Sequence, residues 1–208
     1  MLIFEIKNTA VEIRAGFFLI VTFMLLTCDS KTVTVSLFSS LIHESGHLAA
    51  MMFFAERAEK IVFSASGMRI DRKNGSFLSF SEEIIISASG VMMNFVICAA
   101  AYTVFFLTGF SLAGFIGAVN AVIGAFNLLP FEELDGGNIL RFTLCRRLGQ
   151  EQAEKVMNIV SVSAGIMLLI FFSLTVYLKK ANLSLAFVIL YLIILLINRI
   201  LELKKSVI

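Results

Sequence analysis

The chain has 208 residues, of which 59% are hydrophobic and 15% charged, and its formal net charge is +2. That composition is too apolar for an ordinary soluble domain, and so small a charge excludes the basic balance of a nucleic-acid binder. Cys28, Cys98 and Cys145 are odd in number and scattered, so they fit neither a disulfide framework nor a metal spacing and read as free thiols.

Several apolar runs approach or exceed the roughly 18 residues that cross a bilayer. In chain order they are Ile13 to Thr27, Val33 to Phe54, Ile84 to Thr108, Ser111 to Leu129, Val156 to Leu178 and Leu183 to Leu201. The expected fold is an all-α polytopic membrane protein with six transmembrane helices. The first run is closed by Cys28-Asp29-Ser30 and has no small-residue cleavage site after it, so it reads as a retained anchor. No linker, repeat or low-complexity segment divides the chain, and residues 1–208 read as a single domain.

Between the second and third runs lies the polar stretch ERAEKIVFSASGMRIDRKNGSFLSFSEE. Asn74-Gly75, set between MRIDRK and SFLSF, predicts a small β-hairpin turning at that dipeptide, on the cytoplasmic side between helices 2 and 3. After the fourth run, the only proline, Pro130, ends the helix, and GGNILRFTLCRRLGQEQAEK reads as a short amphipathic helix with a basic side (Arg141, Arg146, Arg147) followed by a turn. With six spans, all of the 17 Lys and Arg except Lys31, Lys179 and Lys180 fall on the side that holds both termini. The excess of positive charge makes that side cytoplasmic.

Both histidines of the chain, His43 and His47, stand in the second run with Glu44 between them, in LIHESGHLAA. Residues four apart share one face of a helix. Two neutral imidazoles there can hold one zinc ion, and the glutamate after the first can serve as general base toward a zinc-bound water. Ser45 and Gly46 are small and would leave room for a substrate backbone. Ionisable groups inside a span are costly, and three within five residues point to a function rather than to packing.

A catalytic zinc usually takes three protein ligands and keeps one position open. FNLLPFEELDGG, residues 126–137, offers Glu132, Glu133 and Asp135. His47 lies nine residues before Glu56, about 14 Å along a helix, so it sits in the cytoplasmic half of its span. The acidic cluster reaches the same half if the chain stays in the membrane past Pro130. The proline interrupts the helix there, Gly136-Gly137 loosens the backbone, and broken helices are tolerated where they line a water-filled cavity.

Two motifs together, His43-Glu44-Ser45-Gly46-His47 and Asn127, Pro130, Leu134, Asp135, Gly136, resemble the H-E-x-x-H and N-x-x-P-x-x-x-L-D-G patterns of the site-2 protease family of intramembrane zinc metalloproteases, in a minimal form similar to the sporulation-type branch. A third family element is similar to SGVMMNF, with Gly90 and Asn94 in place and Val91 where a proline stands. The resemblance implies a catalytic core at about residues 33–140, Zn2+ held by His43, His47 and Asp135, Glu44 as the catalytic base, and Asn94 and Asn127 as substrate-positioning or oxyanion-stabilising groups. It further implies regulated intramembrane proteolysis of a transmembrane protein substrate, a β element that presents that substrate as an added strand, a regulatory membrane partner and a bacterial or archaeal cell membrane. Competing readings are an inactive relative that binds membrane partners and a metal transporter with a transit site at His43, Glu44 and His47; the transporter would carry repeated halves, and no repeat is evident.

Overall fold

In the computed structural model, residues 2–6, 9–54, 58–64, 67–72, 78–131 and 134–178 are described. The chain divides into two compact units, Met1–Asn127 and Leu128–Ile208.

The first unit combines a sheet with four helices. Strands β1 (Leu2–Ile6) and β2 (Thr9–Ile13) precede helices α1 (Ala15–Thr27) and α2 (Ser30–Phe53); β3 (Ala58–Ser64) and β4 (Gly67–Arg72) follow, then α3 (Phe80–Thr108) and α4 (Ser111–Asn127). The sheet order is β1-β2-β3-β4, with β2 and β3 parallel and the two outer pairs antiparallel. A hairpin does lie between α2 and α3, but it is the β3–β4 pair, one half of a larger sheet, and residues 68–72 belong to its second strand. β3 and β4 are joined across residues 65–66, and Asn74-Gly75 lies outside the described residues. The parallel β2–β3 pair sets the N-terminal segment beside the segment that follows α2, a pairing of residues about fifty apart such as Val11 and Ile61.

Glu12 on β2 is buried and forms ion pairs with Lys60 of β3 and with Arg14, 2.7 Å from the Arg14 Nε. Hydrogen bonds from Lys60 and then Arg14 hold its carboxyl below the ordinary value of 4.5. A carboxyl whose pKa is depressed by folding contributes stability above its unfolded pKa and loses it as pH falls through the folded one. Backbone amides of Val11, Ile61 and Val62 should thus keep their hydrogen-exchange protection above pH 4.5 and lose it progressively on further acidification. In Glu12→Gln the acid-dependent loss should disappear.

Two helix starts fall earlier than their apolar runs. Asp29 caps α2, accepting from the Thr32 backbone N–H at 2.9 Å and from its hydroxyl at 2.6 Å. α3 opens four residues ahead of Ile84 on a capping box. The Ser79 hydroxyl accepts from the Glu82 N–H, and the Glu82 carboxylate accepts from the Ser79 N–H at 2.7 Å. Two orphan donors are satisfied reciprocally, and residues read as the hairpin's far strand become a helix start.

α2, α3 and α4 each bury one stripe at helical spacing: Ser39, His43, Gly46 and His47 on α2; Ile86, Ser87, Gly90, Val91 and Asn94 on α3; Ala113, Gly117, Asn120 and Gly124 on α4. Small residues allow close approach where lipid supplies no hydrophobic drive between helices. A Cβ on Gly46 would stand 2.6 Å from the Ser89 carbonyl oxygen. The space beside Gly46, expected to admit a substrate backbone, is thus filled by α3. Large apolar side chains face outward, including Phe38, Phe53, Phe106 and Leu107, as lipid-facing surface requires.

The second unit starts with the break in the helix. Residues 128–131 and Leu134 are non-helical; α5 (Asp135–Leu148) and α6 (Gln150–Tyr177) follow and pack together. The Ser161 hydroxyl of α6 donates to the Pro130 carbonyl at 2.8 Å, satisfying an acceptor exposed by the break. Gly136 and Gly137 lie within the first turn of α5 and do not loosen it. A Cβ on Gly136 would sit 2.1 Å from the Leu128 carbonyl oxygen, so glycine is required for the start of α5 to close against the preceding loop. The turn expected after this helix is Gly149 (φ 81°) alone; α6 is helical from Gln150, with Glu151 and Lys155 paired at 2.7 Å one turn apart.

Among the described residues, α3 and α6 are long and apolar enough to cross a membrane, and α1 and α4 are shorter apolar helices. The architecture is mostly helical with a small sheet. The expected sixth span, Leu183 to Leu201, lies outside the described residues.

Candidate metal centre

His43 and His47 are 5% and 9% exposed, one turn apart on the inner stripe of α2. Their rings are nearly perpendicular, with centroids 4.8 Å apart. Each Nδ1 is held from α3: that of His47 lies 2.8 Å from the Ile86 carbonyl oxygen, and that of His43 lies 2.6 Å from Asn94 Oδ1. A backbone carbonyl only accepts, so His47 carries its proton on Nδ1 and its lone pair on Nε2. The Asn94 oxygen imposes the same arrangement on His43. The two Nε2 atoms then face each other at 3.2 Å.

Two lone pairs at that distance in a buried site repel unless a cation stands between them. Nitrogens bonded to one zinc ion at about 2.0–2.1 Å with tetrahedral geometry lie about 3.3 Å apart. The pair therefore fits zinc in atom type, tautomer and spacing, and its outer hydrogen bonds are of the kind that orient metal-binding imidazoles.

Gly90 makes room for this pair. A Cβ there would stand 2.3 Å from His47 Nε2 and 2.9 Å from His43 Cε1. Glu44 follows His43 on α2 and is partly exposed, which suits a group that must meet water.

The other expected site residues fall as follows. Asn94 is wholly buried; besides His43 it meets Asn120 and the Ser39 carbonyl oxygen. Asn127 ends α4, and its amide donates to the Ile123 carbonyl at 3.0 Å. Asp135, in the second unit, is the first residue of α5, where the helix dipole favours a negative charge. Glu132 and Glu133 lie outside the described residues. Sequence reasoning passed over Asn120 and Ser39, both buried in the first unit. The available signal was an asparagine amid an apolar span, on the same face as Gly117 and Gly124.

Residues 108–172 match the model of Peptidase family M50. This stretch contains Asn127, Pro130 and Asp135 but neither histidine, so the match is independent of the histidine pair. Over this stretch the chain is similar to the M50 peptidases. The zinc metalloprotease MJ0392 of Methanocaldococcus jannaschii is 27% identical over 185 residues, an alignment that covers 81% of this chain and 52% of that protein. The chain spans about half the length of this curated relative. The solved structure of a site-2 protease from Methanocaldococcus jannaschii shares its fold, with a TM-score of 0.64 at 22% identity, covering 96% of this chain and 93% of the other.

Proposed function

We propose that this chain is an intramembrane zinc endopeptidase that hydrolyses a peptide bond in or near a transmembrane segment of a membrane-bound protein. The observation that carries the reading is the pair of buried imidazoles with their Nε2 lone pairs turned toward each other at 3.2 Å, with a carboxylate at the next position on the same helix. Zinc, when bound, supplies a Lewis acid and a water acidified to about neutral pKa. His43 and His47 hold it through Nε2, and Asp135 is the third ligand. Glu44 takes a proton from the attacking water and returns it to the leaving amine. Asn127 positions substrate. Buried Asn94 serves the site through His43.

The chain works as one domain crossing the membrane six times, with both termini cytoplasmic, in a bacterial or archaeal cell membrane. Two observations support this orientation. The excess of Lys and Arg lies on that side, and β2–β3 pairing returns the chain, after α1 and α2, to the side from which it started. Its partners are the lipid bilayer, a transmembrane substrate and a regulatory membrane protein.

The test is metal content in detergent-solubilised protein. The parent should carry about one zinc per chain, and His47→Ala and Asp135→Ala should each lose it, because a three-ligand site loses most of its affinity with any one ligand. A folded parent that takes up no zinc would end the protease reading. Zinc kept in Asp135→Ala would move the third ligand elsewhere, Glu132 and Glu133 being the nearest in sequence.

A further inference from the structure

His43 is the end of a buried hydrogen-bond relay that crosses three helices. Asn120 of α4 donates through Nδ2 to the Ile116 carbonyl and to the Ser39 hydroxyl, each at 2.9 Å, and its Oδ1 accepts from Asn94 Nδ2 at 2.9 Å. Asn94 Oδ1 then meets His43 Nδ1 at 2.6 Å. Asn94 and Asn120 are both 0% exposed and Ser39 is 2% exposed, so no water substitutes for a missing partner.

The direction of this relay follows from chemistry at its far end. The Ile116 carbonyl has no hydrogen to give, so the Asn120 atom facing it is the NH2. Its oxygen must then face Asn94, which presents NH2 in return. That leaves only the Asn94 oxygen for His43, and the imidazole can meet an oxygen only by donating. The Ile116 carbonyl on α4, seconded by a longer contact of 3.4 Å from Asn94 Nδ2 to the Ser39 carbonyl, thereby dictates which nitrogen of a ring on α2 carries the proton. Reversing any member would leave two donors or two acceptors facing each other at buried positions, at a cost of about 1–3 kcal/mol.

We propose that Asn120 is a positioning residue of the metal centre: through Asn94 it locks His43 in the Nδ1–H tautomer and so keeps the Nε2 lone pair directed at the metal. The proposal rests on the zinc reading, but the lock can be read without metal or substrate, so the two fail separately. With only two histidines in the chain, a 15N-histidine-labelled sample in detergent, stripped of metal, reports just two rings. In the parent both should show a protonated Nδ1, each held by the oxygen it meets on α3. In Asn120→Leu the His43 ring should become a tautomer mixture, while His47, held by the Ile86 carbonyl, keeps its signature. Zinc affinity measured against a competing chelator should fall about 10–100-fold, the usual effect of removing an outer-shell partner. Asn120→Asp, as the neutral acid that burial favours, can donate its O–H to the Ile116 carbonyl, keeps an oxygen for Asn94 to donate to and should preserve the His43 tautomer. An unchanged His43 tautomer in Asn120→Leu would overturn the proposal. Equal disturbance of His43 in the Leu and Asp variants would overturn it too, because packing rather than polarity would then be the cause.

Discussion

Glu44→Gln should leave zinc content at the parent level and lower the cleavage rate of any transmembrane peptide that the parent cuts by about 10²–10⁴-fold, the range of a lost general base. The substitution keeps the size and placement of the side chain and removes only its ability to take a proton. His43 and His47 lie on the buried stripe of α2 and Glu44 beside it, so the ligand pair with its hydrogen bonds to Asn94 and Ile86 stays in place. Parallel loss of zinc and activity would make Glu44 a structural member of the centre. Cleavage at the parent rate would remove it from the mechanism.

Gly90→Ala should abolish stoichiometric zinc binding, with a fall in affinity of about 100-fold, the upper end of what loss of an outer-shell contact produces. The added methyl would lie 2.3 Å from His47 Nε2, the atom proposed to hold the metal. Neither ring can swing away cheaply, since each Nδ1 is tied to α3 and release leaves a buried acceptor unsatisfied. α2 and α3 are packed tightly at the adjoining positions as well, where a Cβ on Gly46 would stand 2.6 Å from the Ser89 carbonyl oxygen. Zinc titration of the purified variant decides the matter: one equivalent bound with parent affinity would show that the rings have room that the close approach denies. An unchanged helical circular dichroism spectrum would place the defect at the centre.

The two predictions differ in what a reader of the sequence could have foreseen. Glu44 follows from the motif alone, because i and i+4 spacing on a helix is a local property. Gly90 does not: that a glycine 43 positions beyond His47 lies against its ring depends on how α2 crosses α3. The errors in the sheet have the same origin. Asn74-Gly75 is a sound local hairpin signal, yet β3 pairs with β2 from the chain's beginning as well as with β4. The start of α3, by contrast, was legible. Ser79 and Glu82 spell a capping box, and the alternating look of SFLSF hid it.

By itself the sequence determined the membrane-type composition, the placing of His43, Glu44 and His47 within one helical turn, and the interruption of a helix after Asn127, because apolar length, helical spacing and a proline's missing N–H are all local. Only the tertiary structure decided the β1-β2-β3-β4 sheet, the room that Gly90 leaves for two imidazoles, and the Asn120–Asn94–His43 relay that orients one of them. Each of these depends on groups far apart in the chain whose hydrogen-bond directions and contact distances exist only once the helices have packed.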